Sequence, residues 1–428
     1  MATNLTLKQV FTPGGQPSVT YVSREHLGLE DRIEDVIARG FAFNVVTGPT
    51  KSGKTVLIQK VLGDRPALLL EGGLIESIES FWNQLAHMLN IADSAARGQS
   101  GTAGNTLAIE GSGGVPGFVQ GKATNTTTTT ETDTSQLVYT NVKSLAVIER
   151  LHSNDIPLVI DDFHYIDPAV QLAVVRALKG AVQKGLTLFL VAVPHRAFDP
   201  LQVEDEVNGR FSHVEIPAWT IEDLVKIPVN GFEALNVSVP SSTIRRMCAD
   251  SFGNPLLVQE ICSELCLRHK IRGRQSPRKE LKEPRLLETY TAMAASKSFP
   301  TFRDLARGPE GYKGRKTRKL VGGETADLYQ AILLAVARLG PQPVTTFAEL
   351  QNSLKAVFDQ KEAFPRKAEV VSALKGMNLV ARSRPQGSPP IEWVGETERL
   401  VIIDPFLMFY MRWTFRDQGL ALSDVDLT

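Results

Sequence analysis

The chain has 428 residues, of which 43% are apolar, and its 47 basic side chains balance 47 acidic ones. This length predicts two or three domains, and the apolar content is that of a globular rather than a disordered chain. The zero net charge gives no global sign of a nucleic-acid or acidic partner, although local clusters can still matter.

Cysteine usage and the first residues bear on the compartment. Cys248, Cys262 and Cys266 lie close together, and no companion histidine or cysteine pair has the spacing of a zinc site. Buried thiols in a reducing cytosol are therefore expected. The first residues contain no apolar signal region, and no apolar stretch approaches the length of a membrane span. We expect a soluble cytoplasmic protein with no membrane contact.

The first half of the chain alternates short apolar strands with helical patterns. Residues 1–22 predict an arm or short strand, and Leu27–Ile37 predicts an amphipathic helix. Such alternation predicts an α/β fold with a mostly parallel sheet covered on both faces. The five predicted strands are Phe41–Val46, Pro66–Leu70, Pro157–Ile160, Thr187–Val193 and His213–Ile216.

The octapeptide after the first strand fits the phosphate-binding loop G-x-x-x-x-G-K-[ST] at every fixed position. Backbone N–H groups of such a loop, with the positive end of the following helix, bind a polyphosphate. Lys54 is expected to reach the β- and γ-phosphates and Thr55 to offer its hydroxyl to Mg²⁺. The alternative is an ordinary glycine-rich turn. The predicted nucleotide-binding residues here are Gly48, Pro49, Thr50, Lys51, Ser52, Gly53, Lys54, Thr55 and Val56.

Residues 94–135 interrupt the alternation. They are rich in Gly, Ser, Thr and Asn, with five consecutive threonines at Thr126–Thr130. Such a stretch cannot bury a core of its own. It predicts an insertion in the sheet domain, either disordered or a projecting β-hairpin, and the β-branched threonines favour the hairpin.

A second strand supplies the acidic groups that hydrolysis needs, since the apolar run at 156–160 ends in Asp161-Asp162. The carboxyl end of such a strand faces the phosphate site in open α/β sheets. Asp161 is expected to hold Mg²⁺, and Asp162 to orient or deprotonate the attacking water. The alternative is that Asp162 is only a helix or turn cap. His164 and Asp167 are placed to position Asp162, but Asp167, ahead of Pro168, also suits a capping role.

Two arginines are further catalytic candidates. The fourth predicted strand is followed by Pro194-His195-Arg196, where either His195 or Arg196 is placed to sense the γ-phosphate. Arg210, just before the fifth strand, is a candidate arginine finger reaching into a neighbouring subunit. An ordinary surface arginine is the alternative.

The second half predicts three further segments. Residues 219–268 carry three helical patterns and predict a helical lid on the 1–218 core. Residues 269–324 predict a linker, because the stretch 268–319 holds sixteen basic and five acidic residues. That positive field suits either a solvated connector or a contact with nucleic acid or another acidic surface.

The last segment, 325–415, is predicted as a winged-helix domain followed by a tail at 416–428. Helical patterns cover Asp327–Leu339, Thr346–Phe358 and Lys367–Met377. Leu379–Arg384 and Ile391–Ile403 predict two strands of a hairpin. The aromatic helix that starts at Asp404-Pro405 is expected to dock on the domain.

These motifs together resemble the STAND branch of signalling P-loop ATPases, archaeal-type ATPases, and the AAA+-related origin-recognition/Cdc6-like proteins. The resemblance rests on the phosphate loop, the Asp-Asp-x-His-x-x-Asp run and Gly253-Asn-Pro-Leu-Leu-Val258, over roughly residues 20–415. It implies that Pro255 of the lid lies near the adenine and that the Arg24-Glu25 pair lies near the base and ribose. The acidic pair differs from the Asp-Glu usual in AAA+ proteins, which favours a switch over fast processive hydrolysis.

Two functions of different classes follow from the resemblance. The first is an ATP-dependent oligomerisation switch in regulation or defence, with ATP and Mg²⁺ as cofactors and a homo-oligomer, partner protein or effector as partner. The second is a DNA-binding regulator similar to origin-recognition or transposition ATPases. In that case DNA would contact the basic linker and the winged helix. A small-molecule kinase is disfavoured by the large lid. The basic residues available to DNA on the winged helix are Arg366, Lys367, Lys375, Arg382 and Arg384.

Overall fold

The chain divides into two compact units in the computed structural model. We call Ser23–Ala218 the sheet unit, and Met1–Val22 together with Trp219–Thr428 the helical unit. The structure describes residues 4–91, 118–120, 133–193, 210–282, 284–310, 315–383, 389–417 and 422.

The sheet unit contains a parallel six-stranded sheet in the order β3-β2-β4-β5-β1-β6. Five of its strands are the predicted ones, each shifted by no more than two residues at either end. The elements are α1 (Leu29–Arg39), β1 (Phe43–Thr47), α2 (Lys54–Leu62), β2 (Ala67–Glu71), α3 (Ile78–Met88), β3 (Phe118–Gln120), α4 (Asp133–Ser153), β4 (Leu158–Asp161), α5 (Pro168–Gln183), β5 (Leu188–Ala192) and β6 (Phe211–Glu215).

The central strand β1 explains why the sheet is covered on both faces. All five of its residues are buried, and successive side chains of a strand point to opposite faces. Phe43 and Val45 pack into one apolar cluster, whereas Val46 packs into another with Leu57 and Ile58 of α2. Strands buried on both faces read as continuous apolar runs, which is why the sequence located them well.

The strand order brings three loops to one edge of the sheet. β1 lies between β5 and β6, and β5 alone separates it from β4. Because all these strands are parallel, the segments that follow β1, β4 and β2 leave the sheet at the same edge. The phosphate loop and the acidic pair are therefore placed close together by topology.

The predicted insertion 94–135 is described only in part. Phe118–Gln120 forms β3, which pairs in parallel with β2, Phe118 lying opposite Ala67. α4 begins at Asp133. The rest of the insertion, with its predicted hairpin, lies outside the described residues.

The helical unit holds ten helices among its described residues, together with short two- and three-stranded sheets. The first helix is the short one at Leu7–Val10, in the arm that precedes the sheet unit. The other elements are α6 (Ile221–Ala234), β7 (Val237–Ser238), α7 (Ser241–Ala249), α8 (Pro255–Arg268), β8 (Lys279–Glu280), α9 (Leu286–Met293), α10 (Phe299–Arg307), β9 (Arg318–Lys319), β10 (Thr325–Ala326), α11 (Leu328–Leu339), β11 (Val344–Thr346), α12 (Phe347–Val357), α13 (Lys367–Arg382), β12 (Ile391–Val394), β13 (Arg399–Ile402) and α14 (Pro405–Met411).

The arm at residues 4–22 belongs to the helical unit, whereas the sequence assigned it to the 1–218 core. The Thr12 amide donates to the side chain of Gln259 on α8, 3.0 Å away, and Gln259 donates to Thr20 at 2.8 Å. The Phe11 ring lies against Gly231 of α6, where even an added Cβ would come within 2.3 Å of it. These contacts are long-range, so no local sequence pattern predicts them.

The basic segment 269–324 is folded rather than a plain linker. It contains α9 and α10, whose Tyr290 and Phe302 are fully buried. Arg318 is also buried, donating to the Ala363 carbonyl at 3.1 Å and to Glu369 at 3.1 Å. Arg315 donates to Asp327 at 3.2 Å, and its guanidinium lies over the Tyr329 ring. At least two basic side chains of segment 269–324, Arg315 and Arg318, therefore bond to acidic groups within the helical unit.

The C-terminal segment runs α11-β11-α12-α13-β12-β13, and its strands pair in the antiparallel order β11-β13-β12. The strand predicted at Leu379–Arg384 is wrong over 379–382, because α13 continues to Arg382. The buried residues of α13, including Leu374, Met377 and Ala381, are spaced as on one face of a helix up to its last turn. Both hairpin strands instead lie within residues 391–402.

The aromatic helix α14 docks on the helical unit, as predicted. Tyr290 meets the rings of Phe409 and Trp413 edge-on at 5.0 and 5.2 Å, and Phe302 contacts Tyr410. The predicted tail 416–428 lies almost entirely outside the described residues.

The three cysteines are buried and carry free thiols. Burial raises the pKa of Cys248 and of Cys266 to about 12. Thiols so protonated are poor nucleophiles, which agrees with a packing role. Among the described residues, no helix has both the length and the apolar content needed to cross a bilayer.

Arg318→Ala should destabilise the helical unit by about 2 kcal/mol, because it removes a buried guanidinium with two hydrogen-bonded partners. Lys319→Ala, at the exposed neighbouring position, should stay within about 0.5 kcal/mol of the parent. Chemical denaturation followed by circular dichroism measures both. Equal stability of the two variants would contradict a structural role for Arg318.

Candidate functional site

The loop between β1 and α2 has the backbone path that its glycines allow. Gly53 adopts a left-handed conformation with φ of 91° and immediately precedes α2. Gly48 touches the neighbouring strand end so closely that a Cβ would lie 2.6 Å from the Ile216 carbonyl oxygen. Lys51 also has positive φ, at 57°. The loop therefore turns sharply and delivers its N–H groups to the start of a helix, as an anion site requires.

Lys54 is the buried cation of this loop, with only 6% of its surface exposed. Its Nζ donates to the carbonyl oxygens of Gly48 at 3.1 Å and Pro49 at 2.9 Å. Burial lowers the pKa of the Lys54 ammonium, while Asp161 and Asp162 oppose that shift. The side chain thus folds back along the loop, and its ammonium could bind a negatively charged group there.

The hydroxyl of Thr55, in the first turn of α2, donates to Oδ2 of Asp161 at 2.5 Å. Oδ1 of Asp161 accepts from the Asp162 amide at 2.9 Å. The two residues predicted to share Mg²⁺ are thus in direct contact, although β5 lies between the strands β1 and β4 that they follow or end. Hydroxyl and carboxylate oxygens are the ligands that Mg²⁺ prefers, so the donor set fits this ion.

Asp162 occupies the position ahead of a short helical turn, Phe163–Tyr165, with φ of 52°. Its side chain makes no capping hydrogen bond to that turn. Its backbone carbonyl lies against Gly72, where a Cβ would approach to 2.4 Å. Asp167, by contrast, caps α5 by accepting from the Ala169 amide at 2.9 Å. The capping role therefore falls on Asp167.

His164 is the buried neighbour of the acidic pair. It is 4% exposed, and its ring lies 4.0 Å from that of Tyr165 in a tilted arrangement. This position suits packing beneath the turn at Asp162.

Two further titratable residues at this edge carry no sequence signal of their own. Glu71 ends β2 in register with Asp161, so a third carboxylate lies at the same edge. His213 on β6 lies 2.7 Å from the hydroxyl of Thr47, the residue before the phosphate loop. Burial lowers the pKa of His213, Glu215 opposes this shift, and Arg32 adds to it. Only the sheet register places either residue beside the loop.

Arg24 is buried and binds backbone. Its guanidinium donates to the Pro217 carbonyl at 2.8 Å. Pro217 follows Ile216, whose carbonyl touches Gly48. Arg24 is therefore a few residues from the phosphate loop, on the β6 side.

Other predicted site residues are not brought to this edge. Arg210 precedes β6 and its carbonyl accepts from the Phe43 amide, at the amino ends of the strands. It lies six residues before Ile216, or about 20 Å away at about 3.3 Å per residue. It is therefore remote from its own chain's loop. Arg196 and His195 lie outside the described residues.

Pro255 lies in the helical unit at the first turn of α8. Asn254 caps that helix by accepting from the Leu257 amide at 3.1 Å, and Gly253 before it has φ of 71°. The sequence motif thus builds a well-defined helix start.

Comparison with solved structures finds proteins that cover nearly the whole chain. A Walker-type ATPase of Pyrococcus abyssi is 15% identical, with a TM-score of 0.50 over 93% of this chain and 98% of that one. Cdc6p from Pyrobaculum aerophilum is 12% identical, with a TM-score of 0.43 over 98% and 100%. The ADP form of the Aeropyrum pernix ORC2 protein is 11% identical, with a TM-score of 0.47 over 93% and 94%. No protein-family model and no curated protein matches the chain.

The Pyrococcus similarity, at 15% identity, concerns the fold alone. Together with the strand order and the loop geometry, it shows an α/β fold of the P-loop NTPase class. The predicted α/β fold of the P-loop class and the resemblance to archaeal Walker-type ATPases are confirmed, whereas the helical lid, the winged helix and the STAND resemblance stay predictions.

Gly48→Ala should cost about 1–3 kcal/mol, because its Cβ would overlap the Ile216 carbonyl oxygen and force the loop or β6 to shift. Gly73→Ala is the matched control, since a Cβ there meets nothing within 4 Å. Urea denaturation of both variants measures the difference. If Gly48→Ala were as stable as the control, the close approach of loop and strand would be wrong.

Proposed function

We propose that the chain binds ATP with Mg²⁺ and hydrolyses it slowly, as a nucleotide-dependent switch. The observation that supports this best is the contact between Thr55 and Asp161, made beside the buried Lys54. A hydroxyl, a carboxylate and an ammonium meet there at the positive end of α2. That combination suits a metal-bound polyphosphate.

Nucleotide binding would use groups already in place. Backbone N–H groups from Thr50 to Val56, at the loop and the start of α2, would bind the phosphates, and Lys54 would exchange two backbone carbonyls for phosphate oxygens. Thr55 and Asp161 would hold Mg²⁺, which neutralises charge on the phosphates. Arg24 would lie toward the base and ribose. Its bond to Pro217 supports a role in fixing that side of the site.

Hydrolysis would use the second carboxylate. Asp162 would accept a proton from water as the water oxygen bonds to the γ-phosphorus and the bond to the β-γ bridging oxygen breaks. Its backbone is held by Gly72 on one side and by Asp161 on the other. Aspartate is one methylene shorter than the glutamate usual at this position in AAA+ proteins, which favours slow turnover. Arg210 is proposed to act only on a neighbouring subunit.

The switch itself is a proposal about states. We propose that residues 219–268 act as a lid, with Pro255 near the adenine, and that residues 325–415 form a winged helix. Their element order and β11-β13-β12 sheet support the latter. A ligand shifts such an equilibrium only through different affinities for the two states. ATP would favour a homo-oligomer, and ADP the monomer.

Contact with DNA is the weaker alternative, because two of the basic groups assigned to it, Lys367 and Arg382, have ion-pair partners in the helical unit. Arg384 lies outside the described residues. Lys367 pairs with Glu398, and Arg382 pairs with the buried Glu392 at 3.2 Å. Lys375 is exposed on α13. A recognition helix needs cations that are available to DNA, and in the described part of α13 two of the assigned cations are already paired.

Lys54→Met should weaken the affinity for ATP by about 100-fold or more, because it removes the cation proposed to bond the phosphates. Fluorescent-nucleotide titration measures this. Without nucleotide, the free energy of unfolding of this variant should stay within about 1 kcal/mol of that of the parent. The reason is that methionine replaces a buried charge whose desolvation is costly. Unchanged nucleotide affinity would contradict the site assignment.

Asp162→Asn should bind ATP normally and slow its hydrolysis by about 100-fold, the range of a lost general base. Asp167→Asn is the control, because asparagine caps helices as well as aspartate does. Phosphate release under saturating ATP compares them. If Asp162→Asn hydrolysed ATP at the rate of the parent, another group would have to activate the water, and Glu71 is the next candidate.

Nucleotide should set the assembly state. Mass photometry should show larger species with a slowly hydrolysed ATP analogue than with ADP, and no change for Lys54→Met. One size distribution under all conditions would exclude the switch. Adding a DNA duplex in physiological salt should leave the sizes unchanged, whereas a nanomolar ATP-dependent complex would favour the DNA alternative.

A further inference from the structure

The segment from the last residue of α8 to the residue before α9 carries a concentration of positive charge. Residues 268–285 contain eight lysines and arginines but only two glutamates, whereas the whole chain has no net charge. We call this segment the basic loop. It belongs entirely to the helical unit.

The backbone of the basic loop is held in place by its neighbours. The Arg274 amide donates to the Leu5 carbonyl of the arm at 2.8 Å, and the Gln275 amide donates to the Leu235 carbonyl at 2.8 Å. Ile271 is fully buried and anchors the loop in the core. A segment fixed in this way loses little conformational entropy when its side chains meet a partner.

The cations of the loop face solvent. Seven of its eight lysines and arginines are exposed. The side chains of Lys270, Arg272 and Arg278 form no ion pair or hydrogen bond with the part of the chain that the structure describes. Lys282 pairs with Glu280 at 3.8 Å, and both side chains are exposed. Exposed pairs of this kind stabilise little, so these cations are available to an anionic partner.

Strand β8, within the loop, has an edge that faces away from β7. The amides of Lys279 and Leu281 donate to backbone carbonyls on the β7 side, so the backbone groups of Glu280 between them point to the opposite edge. Arg278, Glu280 and Lys282 are exposed, whereas Leu281 is buried, as the alternation of side chains along a strand requires.

This arrangement favours an extended acidic peptide over a nucleic acid. A peptide that pairs with the edge of β8 forms main-chain hydrogen bonds, and its side chains alternate between the two faces of the strand pair. Acidic residues can then meet Arg278 and Lys282 while a neutral residue meets Glu280. A nucleic acid carries a phosphate at every nucleotide, which would also meet the Glu280 carboxylate. Moreover, residues 268–285 contain no Phe, Tyr or Trp on which bases could stack.

We propose that the basic loop binds an extended acidic segment of a partner protein along β8. This interaction goes beyond ATP binding and hydrolysis, and it does not require the phosphate loop. The partner is recognised by main-chain pairing and by carboxylates spaced along an extended chain.

The test uses the full chain and a fluorescein-labelled peptide that repeats Glu-Thr-Thr-Thr, with fluorescence anisotropy as the measurement. The parent should bind this peptide, and its affinity should fall as salt is added. Lys270→Gln, Arg272→Gln and Arg278→Gln combined should weaken the affinity by about tenfold, the range expected for three exposed charge pairs. Glu280→Gln should bind about twofold more tightly, a gain that a misfolded protein would not show.

The matched control is Arg338→Gln, Lys355→Gln and Lys361→Gln combined. It changes the net charge equally at exposed positions elsewhere in the helical unit, and its affinity should stay within about twofold of that of the parent. Lys54→Met should bind the peptide like the parent, so a failure of the nucleotide site leaves this test intact.

Three results would each overturn the proposal. The first is a parent that does not bind the peptide, and the second is an equal loss of affinity in the two triple variants. The third is tighter binding of a DNA duplex than of the peptide, lost in the basic-loop variant, which would assign the surface to nucleic acid.

Discussion

The buried ammonium of Lys54 is the constraint around which the edge of the sheet is arranged. A cation with 6% exposure needs compensating oxygens, and it has two loop carbonyls together with the field of Asp161 and Asp162. The two carboxylates lie near Lys54 because only β5 separates β4 from β1, and both strands end at the same edge of the sheet. The strand order, the loop path and the acidic pair together therefore supply the compensation that this buried cation needs.

Much of the sheet unit could be predicted because its information is local. Strands buried on both faces read as apolar runs, and the phosphate loop is a fixed spacing of glycines, lysine and threonine. Asp161 and Asp162 followed from their place at the end of such a run. Glu71 and His213 did not, because only the register between strands brings them to the loop.

The helical unit was harder to predict for a physical reason. Charge composition marked 269–324 as a linker, but arginine stems pack and guanidinium groups find carbonyls and carboxylates. Arg318 is an example, since it is buried and donates to the Ala363 carbonyl and to the Glu369 carboxylate. The end of α13 was misassigned because Leu379 and Val380 also suit a strand, and only packing around Met377 and Ala381 favours the helix.

The arm at residues 4–22 has a consequence for biosynthesis. The Thr12 amide bonds to Gln259, 247 positions later in the chain. At about 5–20 residues per second, translation leaves this arm without its partners for about 10–50 s. The sheet unit is made in between and can fold first, whereas the helical unit must close by recruiting a segment that left the ribosome earlier. Phe11 and Val10 stay exposed during that interval, so chaperone binding to this arm would protect the nascent chain.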